Sequence, residues 1–311
     1  MNSIFVPDEI RHKIIAGNKI FAKDIRGIQD SKKFFNVIFE GQKCPIADVF
    51  IRFINEQGRN AVDLKYLEIG AGYGFSMIDC IKKGFNVIGI EPGSGEGFEG
   101  RYELAKELLA VNSIENVDAI RECTGEDMDC FHDASFDVVY SSAVLEHVRN
   151  IEKVLSEADR VLKKNGFMYM NMPNYNSFYE GHYRIFWLPY LLKNKKIAKL
   201  YVRLKGRKDY FIDELIFTTP GMIKRIAGKV LKEGKFYLVP HLDGIVMGNI
   251  ARVYFYLKLN LKDIKDRRFI AFLTHNKFLR FLSLCISGIL VKIFVLFGFC
   301  RSFNLIYFKR Q

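Results

Sequence analysis

The chain opens without a basic stretch followed by an apolar run. Met1-Asn2-Ser3-Ile4-Phe5-Val6-Pro7-Asp8 has neither part of a secretory signal, so no signal peptide is expected. The six cysteines (44, 80, 123, 130, 285 and 300) include no Cys-x-x-Cys pair and no zinc-type spacing. The simplest reading is reduced, mostly buried thiols in a cytoplasmic protein. The acids and histidines also lack ligand spacing, so the expectation is no metal. Internal repeats and low-complexity linkers are absent. Acidic residues are outnumbered, 35 against 47 Lys and Arg, for a net charge of +12. Such an excess suits nucleic acid, an anionic membrane surface or a phosphorylated substrate, or serves solubility alone, and charge does not choose among them. What the chain does have is bulk: 311 residues, 49% of them hydrophobic, enough for a large domain with a sizeable core.

The chain is organised around Tyr66-Leu67-Glu68-Ile69-Gly70-Ala71-Gly72-Tyr73-Gly74-Phe75-Ser76. Lys65 to Ile69 predicts a buried strand, the three glycines a tight turn, and Ser76 to Lys83 the start of a helix. Backbone without Cβ atoms lets a ligand lie against it. Free N–H groups at the helix start face that ligand. The dinucleotide fingerprint would need its third glycine at position 75, where Phe75 stands. A second strand, Asn86 to Ile90, ends at Glu91, 23 positions after Glu68. That is close to the spacing of about 20 that sets a carboxylate on ribose hydroxyls, and a carboxylate accepts two hydrogen bonds from a vicinal diol. Arg101 to Leu109 predicts a helix, 118–123 a third strand, and Phe136 to Tyr140 a central strand of a parallel sheet. Ile151 to Leu162 is an amphipathic helix, ended by Lys163-Lys164-Asn165-Gly166 with Gly166 suited to a left-handed cap. Phe167 to Met172 is the next strand, closed by Pro173-Asn174.

Glu68-x-Gly70-x-Gly72-x-Gly74 after a strand resembles the first motif of class I S-adenosylmethionine (SAM)-dependent methyltransferases. Asp133 to Val148, with the tetrad Leu145-Glu146-His147-Val148, resembles the fourth. Leu162-Lys163 through Pro173-Asn174 resembles a later one, with Asn165 in place of a glycine. The resemblance covers about residues 60–175. It implies an α/β fold: a Rossmann-like, doubly wound, mostly parallel seven-stranded sheet. It implies SAM as cofactor, held by Glu68, Gly70, Ala71, Gly72, Tyr73, Gly74, Glu91, Pro92 and Ser141, with Glu126 or Asp127 in the adenine slot. The acceptor is a small molecule, glycan or lipid-linked among the options, with Glu146, Tyr183 and Trp187 on its side. Methyl transfer chiefly needs alignment and exclusion of water, and a hydroxyl acceptor needs a base. His147 titrates in the useful range, and His182 is the second candidate. Nucleic acid is disfavoured as acceptor, since the fourth motif lacks Asn/Asp-Pro-Pro-Tyr. A nicotinamide-dependent reductase or epimerase shares the strand-turn-helix start, but Phe75 and the lack of a Tyr-x-x-x-Lys pair weigh against it. A non-catalytic membrane-associated scaffold of the same fold is the other rival, and the intact Glu68, Gly72 and Glu91 weigh against that.

Around this core, residues 1–60 read as a helical lead-in, with apolar positions at helical spacing from Ile46 to Asn55 and Gly58 as their stop. Residues 61–239 make the cofactor-binding catalytic domain. Pro92 to Gly100 is a glycine-rich loop. Gly181 to Pro189 is an aromatic cluster holding the single Trp, either a lid over the substrate or a patch packed on the sheet. Lys193 to Lys208 is basic. Thr218 to Leu231 predicts a helix with Pro220 in its first turn, and Lys235 to Val239 a sixth strand. Phe303 to Phe308, within 303–311, has the composition of a seventh, antiparallel strand. Residues 240–302 are then one insertion between the last two strands. It contains Phe281 to Phe299, nineteen residues interrupted by the one charge of Lys292. Its length permits a membrane span, but one crossing would part the seventh strand from its sheet. The remaining readings are a peripheral element in the interface of an anionic membrane or an internal core helix.

Overall fold

The computed structural model describes residues 4–41, 54–55, 58–93, 100–189, 191–242, 253–254, 257, 277–296 and 300–310. In chain order its sheet strands are β1 (Lys65–Ile69), β2 (Asn86–Glu91), β3 (Ile120–Glu122), β4 (Phe136–Ser142), β5 (Leu162–Pro173), β8 (Gly234–Leu242) and β9 (Cys300–Lys309). A separate two-stranded hairpin pairs β6 (Tyr179–Glu180) with β7 (Ile185–Phe186). The sheet order is 3-2-1-4-5-9-8. The first five strands are parallel, and β9 lies antiparallel between β5 and β8. This is the doubly wound seven-stranded sheet expected from the motifs, with its final strand where 303–308 was placed.

The strands are buried on both faces because helices cover both. On one face lie α1 (Asp8–Gly17), α2 (Ser31–Gly41), α3 (Phe75–Lys82) and α4 (Arg101–Val111). They bring Ile10, Ile14, Met77, Ile78, Ala105 and Leu108 into a cluster with Tyr66, Val87 and Val138 of the sheet. On the other face, α5 (Ile151–Val161) and α7 (Pro220–Val230) bring Val154, Leu155, Ala158, Ile223 and Ala227 against Leu67, Val139 and Met168. Helix α5 shows why the sequence obeys. Ile151, Val154, Leu155, Ala158 and Val161 recur at helical spacing and all are buried. Asn150 caps its start, its side chain accepting from the Lys153 N–H at 3.1 Å. Thr219 caps α7 in the same way.

Two local expectations are corrected. The left-handed residue after α5 is Asn165 (φ 61°), not Gly166. Asn tolerates that region, whereas Gly166 is small for another reason. A Cβ there would lie 2.8 Å from the carbonyl oxygens of Asp137 and Lys163. The thiols are not all reduced: Cys80 is disulfide-bonded, while Cys123, Cys130, Cys285 and Cys300 are free. The predicted helix from Ile46 to Asn55 and the loop from Pro92 to Gly100 fall mostly outside the described residues. Gly58 does turn with φ 71°.

A third cluster sits beyond the ends of the strands. Tyr175, Tyr183, Trp187, Leu192, Ala198, Val202, Phe211, Ile212 and Leu215 pack with Ile25 from the N-terminal region. This cap includes the β6–β7 hairpin and α6 (Lys195–Leu204). Thr218 and Asn174 tie it to β5 and β9, through Thr218 Oγ1 to the Pro173 carbonyl and Asn174 N–H to the Arg301 carbonyl. Helix α8 (Lys277–Leu296) lies in the insertion between β8 and β9. It touches the core through Val291 but leaves Phe278 at 72% and Phe281 at 66% exposure. It is thus not an internal core helix, and it is the one helix among the described residues long and apolar enough to cross a membrane.

Candidate active site

The order 3-2-1-4-5 places a switch between β1 and β4, where crossovers leave in opposite directions and ligands bind at the carboxyl ends of strands. At the end of β1, Gly70, Gly72 and Gly74 take φ of 73°, 58° and 75°. The N–H groups of Gly70 and Ala71 both donate to the Ile90 carbonyl at 2.9 Å, pinning the turn to β2. Gly70 has to be glycine on two counts. Its φ is left-handed, and a Cβ would come within 2.5 Å of Val144 Cγ2. Gly89 on β2 opposes Glu68, and a Cβ there would meet Met77 Sδ at 2.8 Å and Ala71 Cβ at 2.9 Å. Its bareness lets α3 and the turn settle on the sheet.

Two carboxylates flank this turn, as their positions in the sequence predict. Glu91 is buried and its Oε2 accepts the Gly72 N–H at 2.8 Å. Burial pushes its pKa up, against the opposing pull of that hydrogen bond and of Arg101. Glu68 is buried and its Oε2 accepts from the Tyr140 hydroxyl at 2.9 Å. Burial raises its pKa to about 7, and the nearby Glu91 charge adds to the rise. Both sites prefer a ligand that brings hydrogen-bond donors or positive charge. Tyr73 is buried beneath the Arg101 guanidinium, 5.5 Å from its ring, and its hydroxyl accepts from Asn18 Nδ2 at 2.5 Å. The N-terminal region thus reaches the glycine turn.

Other expected cofactor residues sit differently. Ser141 is fully buried and its hydroxyl points at Met170 Sδ, 2.9 Å away, inside the sheet. Glu126 turns its Oε1 to the N–H groups of Arg149 and Asn150, at 2.6 and 3.3 Å, ahead of α5. Asp127 is exposed, in a small turn with Thr124. Pro92 follows β2 and is half-buried.

Beyond β4 the chain turns sharply. Ala143 has φ 56°, and its N–H donates to the Asn171 carbonyl. Val144 lies on Gly70, and Glu146 and His147 follow it two and three positions on. The Glu146 carbonyl is gripped by the Ile216 N–H at 2.7 Å, which joins this turn to the cap. Glu146 itself is fully buried, its pKa raised to about 7 by burial. His182 reaches the same place from the hairpin, where residues 181–184 join β6 to β7. Its Nε2 is 3.2 Å from His147 Nε2, and its Nδ1 is 2.7 Å from Glu180 Oε1. Burial disfavours the His182 imidazolium, but the Glu180 carboxylate outweighs it and lifts the pKa above the ordinary histidine value. Burial instead keeps His147 neutral well below that value. Phe211 walls both rings, with centroids 5.8 and 5.4 Å away.

The sequence thus gave the two histidines singly, and the fold pairs them. It also adds Glu180, which sequence reasoning missed. A histidine two residues after a glutamate in an aromatic stretch was the available signal. Tyr183 and Trp187, expected on the acceptor's side, are instead buried within the cap. Trp187 packs between Tyr175 and Phe217, with ring centroids 5.9 and 5.5 Å away. Of the two readings of the aromatic cluster, Trp187 follows the packed one, while His182 faces the site. Phe75, where a nicotinamide fingerprint needs glycine, is fully buried at the start of α3.

Comparison with known proteins agrees with this geometry. Residues 67–170 match the model of the family described as "Methyltransferase domain". A sterol 4-C-methyltransferase of Caenorhabditis elegans is 31% identical over 133 residues, 41% of this chain and 37% of that protein. A ubiquinone biosynthesis O-methyltransferase of Saccharophagus degradans is 29% identical over 140 residues, 44% of this chain and 56% of that protein. The matched stretch is about half, or less, of the length of these curated relatives. The solved geranyl diphosphate C-methyltransferase of Streptomyces coelicolor is 14% identical, with a TM-score of 0.45 over 84% of this chain and 78% of that one. With the 3-2-1-4-5-9-8 sheet and the acidic glycine turn, the match assigns residues 67–170 to the class I SAM-dependent methyltransferases, whose cofactor is S-adenosylmethionine.

Proposed function

We propose that this protein transfers the methyl group of SAM to a hydroxyl oxygen of a small, lipid-like or lipid-linked acceptor, at the surface of a membrane. The observation that carries the reading is the glycine turn at the switch point. Glu91 braces its Gly72 N–H, and Val144, which lies against Gly70, leads directly into Glu146 and His147. Bound SAM supplies a methyl group already activated by its sulfonium. The chain's own residues do the rest. Glu91 meets the ribose diol, and Glu68 favours the cationic end of the ligand. Gly70 to Gly74 give backbone against which the ligand lies. The cap walls the site, and alignment of acceptor and methyl group there supplies most of the acceleration. A hydroxyl acceptor must also lose a proton, and the Glu146, His147 and His182 cluster is placed beside the turn to take part in that. The name of the ubiquinone biosynthesis O-methyltransferase supports methylation at oxygen, and it and the sterol enzyme both support an acceptor of apolar character. So do the apolar faces that α8 and α6 expose, described below.

The test is incubation of the purified chain with methyl-labelled SAM and a lysate split into lipid and soluble fractions. The expected result is label in the lipid fraction, absent with Gly72→Arg, and SAM binding by calorimetry that this variant abolishes. Label in neither fraction, with no SAM affinity in the wild type, favours a scaffold without activity. NAD binding in place of SAM returns the reductase reading.

A further inference from the structure

Glu146 is fully buried, and neither of its carboxylate oxygens accepts a hydrogen bond from a neighbouring residue. A carboxylate left so is costly. Its Oε1 lies 4.0 Å from Nε2 of both His147 and His182, and those nitrogens are 3.2 Å apart. The point equidistant from the three atoms is about 2.2 Å from each, which matches the bonds of about 2.0–2.2 Å that a divalent transition metal makes to imidazole and carboxylate. A direct bond between the histidines would satisfy two nitrogens and leave Glu146 unpaired. A cation satisfies all three. The outer layer fits as well. Glu180 Oε1 holds His182 Nδ1 at 2.7 Å, which puts the ring's lone pair on Nε2, toward the cluster. Glu180 is itself fixed by the Tyr175 hydroxyl at 3.2 Å and the Tyr183 N–H at 2.6 Å.

We propose that Glu146 Oε1, His147 Nε2 and His182 Nε2 bind one divalent transition-metal ion of the zinc class, which holds the acceptor's hydroxyl oxygen beside the glycine turn. Two nitrogens and one oxygen suit such an ion better than magnesium or calcium, which take oxygen sets. Three protein ligands leave a position open for the acceptor. Held there, the hydroxyl becomes acidic enough to release its proton to solvent. The oxygen then bonds to the methyl carbon as the carbon–sulfur bond breaks, its electron pair passing to sulfur. A methyl ether and a neutral thioether result. The catalytic role rests on the methyl-transfer reading, and the metal site itself does not.

The full chain, stripped with a chelator, is titrated with zinc alone by calorimetry and with cobalt by visible absorption. The expected result is one ion per chain and ligand-field bands of a four- or five-coordinate site. Both are lost in the His147→Ala, His182→Ala double variant. Glu180→Gln keeps the ligands and weakens zinc affinity by about 10- to 100-fold, which guards against a double variant that merely misfolds. Absence of a stoichiometric ion, or an affinity indifferent to both variants, overturns the proposal. So does loss of methyl transfer in His182→Ala when the wild type holds no metal, since the histidines then act as a proton relay. SAM binding is measured on the same stripped protein. Zinc bound without SAM affinity sinks the methyl-transfer reading and leaves the metal site standing. SAM bound without zinc does the reverse.

Discussion

Glu68 shows how much chemistry one side chain can take from its surroundings. It faces Tyr140 from β4, Ser76 from α3 and Glu91 from β2, with burial as the largest influence, and its pKa rises from 4.5 to about 7. The folded state therefore holds a proton there that the unfolded chain has already lost above pH 4.5 or so. Stability contributed by that proton is full below the unfolded value and drains away as pH rises through about 7. A shift of this size corresponds to roughly 3 kcal/mol as an upper bound. Urea unfolding should show wild type losing stability relative to Glu68→Gln between pH 5 and pH 8, and equal slopes would refute the assignment. At the same scale, Gly70→Ala places a Cβ 2.5 Å from Val144 Cγ2 in a left-handed backbone. It should cost about 1–3 kcal/mol in stability and weaken SAM binding. Val144→Ala in the same chain should recover the steric part and leave the backbone strain, and calorimetry alongside thermal unfolding would separate the two. Glu68, Gly70 and Glu91 were legible because strand, turn and spacing are local properties of the sequence. The surroundings of Ser141, Glu126, Tyr183 and Trp187 were not. Which way a side chain points in a strand, or whether an aromatic residue packs or lines a site, is settled by neighbours far away in the chain.

Elements were easier to read than their edges or their company. The strand from 65 to 69, the helix from 151 and the last strand near 303–308 lie where hydrophobic period and punctuation put them, because each buries a continuous apolar face. The β6–β7 hairpin went unseen. Two residues per strand leave no period to detect, and its purpose, carrying Glu180 and His182 to Glu146, shows only in three dimensions. The expectation of no metal has the same limit. It searched for spacing along the chain, whereas His147 and His182 are 35 positions apart. Helix α5 offers a direct check on element-level reasoning. Its Asn150 cap and the Glu126 carboxylate both satisfy N–H groups at or just ahead of its first turn. Asn150→Ala should lower stability by about 1 kcal/mol. Leu155→Ala, emptying a fully buried position, should cost about 2–5 kcal/mol. Denaturant midpoints with unchanged slopes would bear this out, and a larger loss for the cap than for the core would overturn the packing described for this face.

At the scale of the whole molecule, the sheet constrains how the chain can meet a bilayer. Strands β8 and β9 pair from Gly234 with Lys309 to Leu242 with Cys300, so the insertion leaves and returns at the same end of the sheet. A single crossing by α8 is incompatible with that pairing, despite its length. Its exposed face, with Phe278, Phe281, Ile286 and Ile289, instead suits burial along the interface. Helix α6 repeats the pattern on the cap. Ile197, Leu200 and Leu204 are exposed at helical spacing, beside Lys195, Lys196 and Arg203. With a net charge of +12, both helices should favour an anionic surface, each basic side chain near it adding about 1 kcal/mol at low salt. Co-sedimentation of the full chain with phosphatidylserine-containing vesicles should therefore exceed that with purely zwitterionic ones, and should fall as salt shortens the range of charge attraction. Phe281→Asp with Ile289→Asp removes apolar area from the proposed contact face without touching a buried side chain. It should reduce vesicle binding at least tenfold, as expected when about 1.5–3 kcal/mol per apolar side chain is lost, and leave SAM affinity unchanged. Binding that ignores lipid charge and survives both substitutions would leave these faces as ordinary surface, and the proposed acceptor would then have to reach the site through water.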